Sequence, residues 1–129
     1  MDNAEKPNIK LADIKDILRA EVIVGHDKLD MLVETGTASD LMSDILRGPS
    51  KVGALLVTGL SNVQVVRTSA IVGLAAVVLV RDRRPEQAVI AQAKEHDLPL
   101  LSTPFTMFSA CGRLFSMGIR GVDGKSSRP

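Results

Sequence analysis

The chain has 129 residues, 45% of them apolar, and a formal net charge of +1. That is enough apolar material for one folded core, and too little net charge to draw the chain to nucleic acid or an anionic membrane. With no Trp or Tyr, three Phe and one Cys, it lacks base-stacking platforms, an internal disulfide and any multi-thiolate metal site.

Residues 1–8 are polar and are expected to form a flexible N-terminus. They hold no apolar run of signal-peptide type, and the longest apolar stretch, residues 71–80, is too short to span a bilayer. A cytoplasmic location is the expectation. Leu11, Ile14, Ile17 and Leu18 then recur at helical spacing among charged residues, which predicts an amphipathic helix. Residues 21–24 read as a short strand stopped by Gly25. His26 to Asp30 is a polar turn, and residues 31–34 read as a second strand ending at Thr35 and Gly36. Thr37, Ser39 and Asp40 supply caps for a helix through Leu46, which Gly48 and Pro49 end.

Residues 54–58 form an apolar run of interior-strand type. Gly59, Leu60, Ser61 and Asn62 turn from it into a helix through Val72. That segment is rich in β-branched residues, but Val63, Val66 and Ala70 share one helical face, and strands on both sides call for a crossover. Residues 75–80 are the next buried strand. After the polar break Arg81 to Arg84, Pro85 sits as a first-turn proline and Glu86 near the positive helix end. This helix runs to about Asp97, where Pro99 prevents its continuation. Leu100 and Leu101 are a short strand. Ser102, Thr103 and Pro104 then start a last helix through Met117, with Phe105, Phe108 and Phe115 on one side and Gly112 as an invitation to close approach or a kink. Residues 118–129 are expected to be a flexible tail. The alternation of buried strands and helices predicts a single α/β domain over residues 9–117, three-layered, with a mostly parallel sheet and flanking helices.

In such a sheet, ligands bind beyond the carboxyl ends of the strands. Three strand ends are readable, and each leads into a helix start, where free N–H groups favour an anion. The candidate ligand-binding residues are Gly59, Ser61 and Asn62 after the first, Arg81 and Asp82 after the second, and Ser102, Thr103 and Thr106 after the third. Capping plus a solvated arginine explains any one cluster taken alone; the convergence of three argues for a site. Phosphate-loop and dinucleotide glycine patterns do not occur. His26 and His96 are the only histidines, so no metal site is expected, and no nucleophile–base spacing marks a catalytic centre. The run Arg81 to Arg84 has neither aromatics nor a helix-turn-helix cue beside it, so no nucleic-acid surface is expected. Cys111 reads as a buried small hydrophobe.

Residues 98–108, LPLLSTPFTMF, are similar to the pattern G-[IV]-P-[VI]-L-x-[ST]-P-x-x-T-F of the DRTGG-domain family. Pro99, Leu101, Thr103, Pro104 and Phe108 match it, and Met107 stands where the family prefers a hydroxyl. The opening LADIKDILRAEVIVG and the segment SNVQVVRTSA resemble the family's helix–strand–glycine start and middle helix. The resemblance covers residues 9–115 and extends to the N-terminal domain of HPr kinase/phosphorylase. The naming residues differ: Leu60, Ser61 and Asn62 carry no Asp-Arg pair, and Val80, Arg81 and Asp82 stand in place of Thr-Gly-Gly. What the resemblance implies is a non-catalytic regulatory or ligand-sensing module without a cofactor, as found in bacterial CBS-domain pyrophosphatases and near the start of some phosphotransacetylases. It would take a nucleotide or other small anion and pair as a homodimer. The alternative is a scaffold that binds a protein partner, since short stand-alone relatives are associated with hydrogenase and electron-transfer genes.

Overall fold

Alternate residues of the central strands point to two different cores, and this sets the architecture. The computed structural model describes residues 9–123. Its strands are β1 (Glu21–Val24), β2 (Thr35–Ala38), β3 (Leu55–Thr58), β4 (Ala76–Leu79), β5 (Leu100–Ser102) and β6 (Arg120–Gly121). They form one sheet in the order β1-β5-β4-β3-β2-β6, parallel throughout except for β1, which runs antiparallel to β5. The helices are α1 (Leu11–Ile17), α2 (Met42–Leu46), α3 (Val63–Val72), α4 (Gln87–Glu95) and α5 (Met107–Met117).

One face of the sheet presents Leu55, Val57, Ala76, Val78 and Leu101 to Leu11, Ile14 and Leu18 of the α1 segment and Ala110 and Leu114 of α5. The other presents Leu56, Val77, Leu79 and Leu100 to Ile45 of α2, Val65 and Val66 of α3, and Val89 and Ala93 of α4. The predicted three-layer, mostly parallel α/β fold is therefore the fold observed. The β-branched segment after Asn62 is helical as predicted, because β3 and β4 are parallel neighbours and the chain must cross between them.

Other expectations need correction. Residues 31–34 are not a strand. Val33 is buried, its N–H donating to the Ile9 carbonyl at 2.9 Å, while Leu32 makes an isolated bridge to Lys10. The strand is the next segment, Thr-Gly-Thr-Ala, paired with β3. Thr37 therefore lies in β2 and caps nothing, and Leu41 holds the N-cap position of α2. The last helix begins at Met107 rather than Thr103. Pro85 stands outside α4, whose N-cap is Glu86. The described part of the expected tail belongs to the fold: Ile119 is buried and β6 pairs with β2, while residues 124–129 and the expected flexible 1–8 lie outside the described residues. The phenylalanines do not share one side of the last helix, because Phe105 precedes it. Phe105 is stacked by Arg113 at 4.0 Å and Arg19 at 5.7 Å, whereas Phe108 and Phe115 are exposed.

Thr103 locks two layers together. It is fully buried, and its hydroxyl donates to the Leu18 carbonyl at 2.5 Å, fastening the end of α1 to the segment after β5. Thr103→Val keeps the shape and strands that carbonyl, so it is expected to cost about 2 kcal/mol. A urea titration checks this as a lower midpoint with an unchanged slope. Cys111 is half-buried, and burial pushes its thiol above the usual range. Its neutral form dominates at neutral pH, so alkylation of the folded protein should be slower than that of the urea-unfolded chain. A raised acid pKa also means that stability declines as pH climbs from the ordinary thiol value towards the folded one.

Candidate functional site

The carboxyl ends of β2, β3 and β4 lie side by side, and their loops wall an open cleft of about 680 Å³. The β3–α3 loop is held from within. Asp40, just past β2, accepts the buried Gly59 N–H at 2.7 Å and the Thr58 hydroxyl at 3.3 Å. The Thr58 Oγ1 in turn accepts the Leu60 N–H at 3.1 Å. Asn62 caps α3 by accepting the Val65 N–H at 3.0 Å. The first N–H groups of α3 have no intrahelical acceptor and leave partial positive charge at the cleft.

The β4–α4 loop supplies the cations. Arg81 and Asp82 are both left-handed, each at φ 59°. Their N–H groups donate to the Phe105 and Thr103 carbonyls, each at 2.8 Å, and this holds the conformation. The Arg81 guanidinium reaches Gly59: a Cβ placed there would lie 3.2 Å from Arg81 Nη2 and 3.3 Å from Asp40 Oδ1. Glycine at this position leaves room for the two opposite charges that flank one stretch of backbone. Arg83, Arg84 and Glu86 complete the wall. Arg84 is also paired with Glu21 of β1, which holds its charge fully on. The wall carries three arginines against two carboxylates, an excess of one positive charge before the helix end is counted.

Of the residues expected at the site, Gly59, Ser61, Asn62 and Arg81 line this cleft together. Asp82 is exposed beside it and does not line it. Ser102 is buried behind the loop and donates to the Arg83 carbonyl at 2.8 Å. Thr103 faces α1, and Thr106 caps α5 by accepting the Ser109 N–H at 3.3 Å. The third arm of the expected site therefore turns away. Its physical reason is layer: α3 and α4 pack on one face of the sheet and α5 on the other, so the chain after β5 leaves towards α1. Asp40, Arg83, Arg84 and Glu86 are the additions. Asp40, a helix-cap candidate by sequence, instead follows the carboxyl end of β2. A strand read at Thr-Gly-Thr-Ala would have put it at a carboxyl end.

A second groove, of about 700 Å³, runs between β2 and the end of α2. Its buried Lys51 donates to the Arg47 and Pro49 carbonyls, so its ammonium serves to cap α2. Among the described residues no group of three or more His, Cys, Asp and Glu is placed to hold a metal, and no helix is long and apolar enough to cross a membrane.

The left-handed pair carries a testable strain. Arginine at positive φ costs roughly 1–2 kcal/mol, of which glycine's extra chain entropy returns part. Arg81→Gly is expected to stabilise the protein by about 0.5–1 kcal/mol, and Asp82→Gly by less, because aspartate tolerates this region. Thermal unfolding of the two variants checks the order.

Fold and cleft together define a three-layer α/β domain with an open, charged site at the carboxyl ends of its parallel strands. The DRTGG domain matches residues 13–117, and the chain belongs to that family. A similar solved structure is that of the CBS and DRTGG domains of the regulatory region of the Clostridium perfringens pyrophosphatase, complexed with its activator diadenosine tetraphosphate. The TM-score is 0.68 at 17% identity, over 92% of this chain and 54% of that one. The likeness is one of fold, and this chain spans about half of that structure. No curated protein matches it by sequence.

Proposed function

We propose that the protein is a non-catalytic regulatory module that senses a small anionic ligand, a nucleotide or phosphorylated metabolite, in the cleft between the β3–α3 and β4–α4 loops. The observation that carries this reading is that Arg81 and Asp40 flank Gly59, just past β3 in the loop that leads into α3. Arginines and helix N–H groups suit a phosphate, and the carboxylates of Asp40 and Glu86 suit hydroxyl groups on the same ligand. Kinship to a regulatory region solved with a dinucleotide activator supports the ligand class. The reading assigns a cytoplasmic location, where such metabolites are concentrated, and self-association as a homodimer.

Thermal shift against nucleotides, diadenosine tetraphosphate included, and phosphorylated metabolites tests it. At a hundredfold excess over Kd a specific ligand adds about 2.7 kcal/mol, a rise of several degrees in Tm. A panel that leaves Tm unmoved would remove the sensing role. The exposed aromatic face of α5 favours a second reading, a scaffold that works through protein contacts alone.

A further inference from the structure

The outward face of α5 is made of Phe108, Ser109, Gly112, Phe115 and Ser116, all exposed and none charged. The one charged side chain of the helix, Arg113, is folded away: it stacks on Phe105 at 4.0 Å and donates to the Ile17 carbonyl at 3.1 Å. Phe108 is 89% exposed and Phe115 60%. Aromatic enrichment without charge is the composition of an interface centre. Gly112 lies between them with nothing within 4 Å of where a Cβ would be, so the chain's own packing gives no reason for glycine. Glycine inside an exposed helix weakens it, and close approach of another backbone is what it allows.

Beside this stripe the sheet is under-covered. β2 lies between β3 and β6, yet none of its residues is buried, in contrast to the fully buried β3, β4 and β5. A largely apolar cavity of about 180 Å³ opens there, walled by Gly36, Cys111, Leu114, Phe115 and Ile119, with Arg120 also in its wall. Apolar cavities of roughly 150 Å³ accept a benzene ring.

We propose that a second copy of this chain docks across α5, the two helices antiparallel and crossing at Gly112, with Phe108 of each entering the cavity beside Phe115 of the other. The proposal rests on the self-association named above and gives it a surface. Phe108 precedes Gly112 by four residues and Phe115 follows it by three, so a two-fold axis at the glycine sets each Phe108 against Phe115 of the partner subunit. A knob and a matching hole on one face are what an isologous contact needs. The cation at the edge of the stripe, Arg120, lies over the Phe115 ring at 4.1 Å, and a two-fold axis at Gly112 keeps its two copies at opposite ends of the contact. The four rings of a dimer offer on the order of 600 Å² of aromatic surface, against roughly 1,200–2,000 Å² in a stable interface. The rest falls to the serines, Gly112 and the cavity rim, and the expected pair is of micromolar strength.

Sedimentation velocity on the full chain, from low to high micromolar concentration, tests this with Phe108→Glu. The ring is exposed, so the variant should fold, which its melting curve checks. Its dimer is expected to weaken by roughly 30-fold or more, the effect of losing a hot-spot aromatic. Gly112→Cys in a Cys111→Ser background should form an intermolecular disulfide on mild oxidation, and Gln64→Cys on α3 in the same background should not. A wild type that stays monomeric at high micromolar concentration overturns the proposal and leaves the stripe to a different protein. A wild-type dimer that Phe108→Glu leaves intact keeps self-association and removes this surface.

Discussion

Gly25→Ala is expected to destabilise the protein by about 3 kcal/mol and to lower its Tm by roughly 10 °C. Two costs add at this position. Gly25 ends β1 at φ 100°, a conformation that side chains strain to adopt. A methyl group there would also sit 2.9 Å from the Cα of Pro99, closer than packed carbons approach. Pro99 has little freedom to retreat, since it is buried and its carbonyl accepts the Val77 N–H at 3.0 Å where β5 meets β4. Relief would have to come from parting β1 and the start of β5. Gly53→Ala separates the two costs: φ there is 79°, with nothing within 4 Å, so only the backbone term of about 1 kcal/mol should appear. Urea midpoints of both variants decide it, and equal losses would show that the contact with Pro99 is not tight.

How far the fold could be read depended on burial rather than on strand propensity. β3, β4 and β5 are covered on both faces and read as unbroken apolar runs, so their parallel arrangement followed. β2 lies between β3 and the two-residue β6 and has no large side chain, its faces opening onto grooves, whereas residues 31–34 beside it are more apolar and look more like a strand. β6 is two residues long and held by the buried Ile119; so short a strand leaves no periodicity to find. In the site, the ends of β3 and β4 were legible because each strand stops at a polar turn. What the residues do not announce is which face of the sheet each helix takes. That choice carries α5 to the side of α1, turns Thr103 into a core hydroxyl, and leaves the cleft to the loops whose helices share a layer. With the strand read at residues 31–34, the site loses Asp40, the one carboxylate that holds Gly59 in place.

Arg81→Ala and Asp40→Asn should move ligand affinity in opposite directions while folding stays nearly intact. The ligand is whichever nucleotide or phosphorylated metabolite raises Tm. Arg81 is exposed, and its loop is held by backbone bonds from its own N–H and that of Asp82, which alanine preserves. Alanine keeps the left-handed strain, so stability should change little. Loss of a charge-assisted contact to an anion is expected to weaken binding by roughly 10–100-fold. Asp40→Asn keeps an oxygen to accept the Gly59 N–H at the same place and removes only the negative charge. With that charge gone from beside Arg81, the same anion should bind about 3–10-fold tighter, the gain set by partial solvent screening. Calorimetric titration of the two variants and the wild type reads both shifts, and raising the salt concentration should shrink them together. Equal affinities across the three proteins would take Arg81 out of the site. A loss in both variants would mean that Asp40 contacts the ligand as a carboxylate, accepting its hydroxyl groups, and that the cleft selects for a sugar as much as for a phosphate.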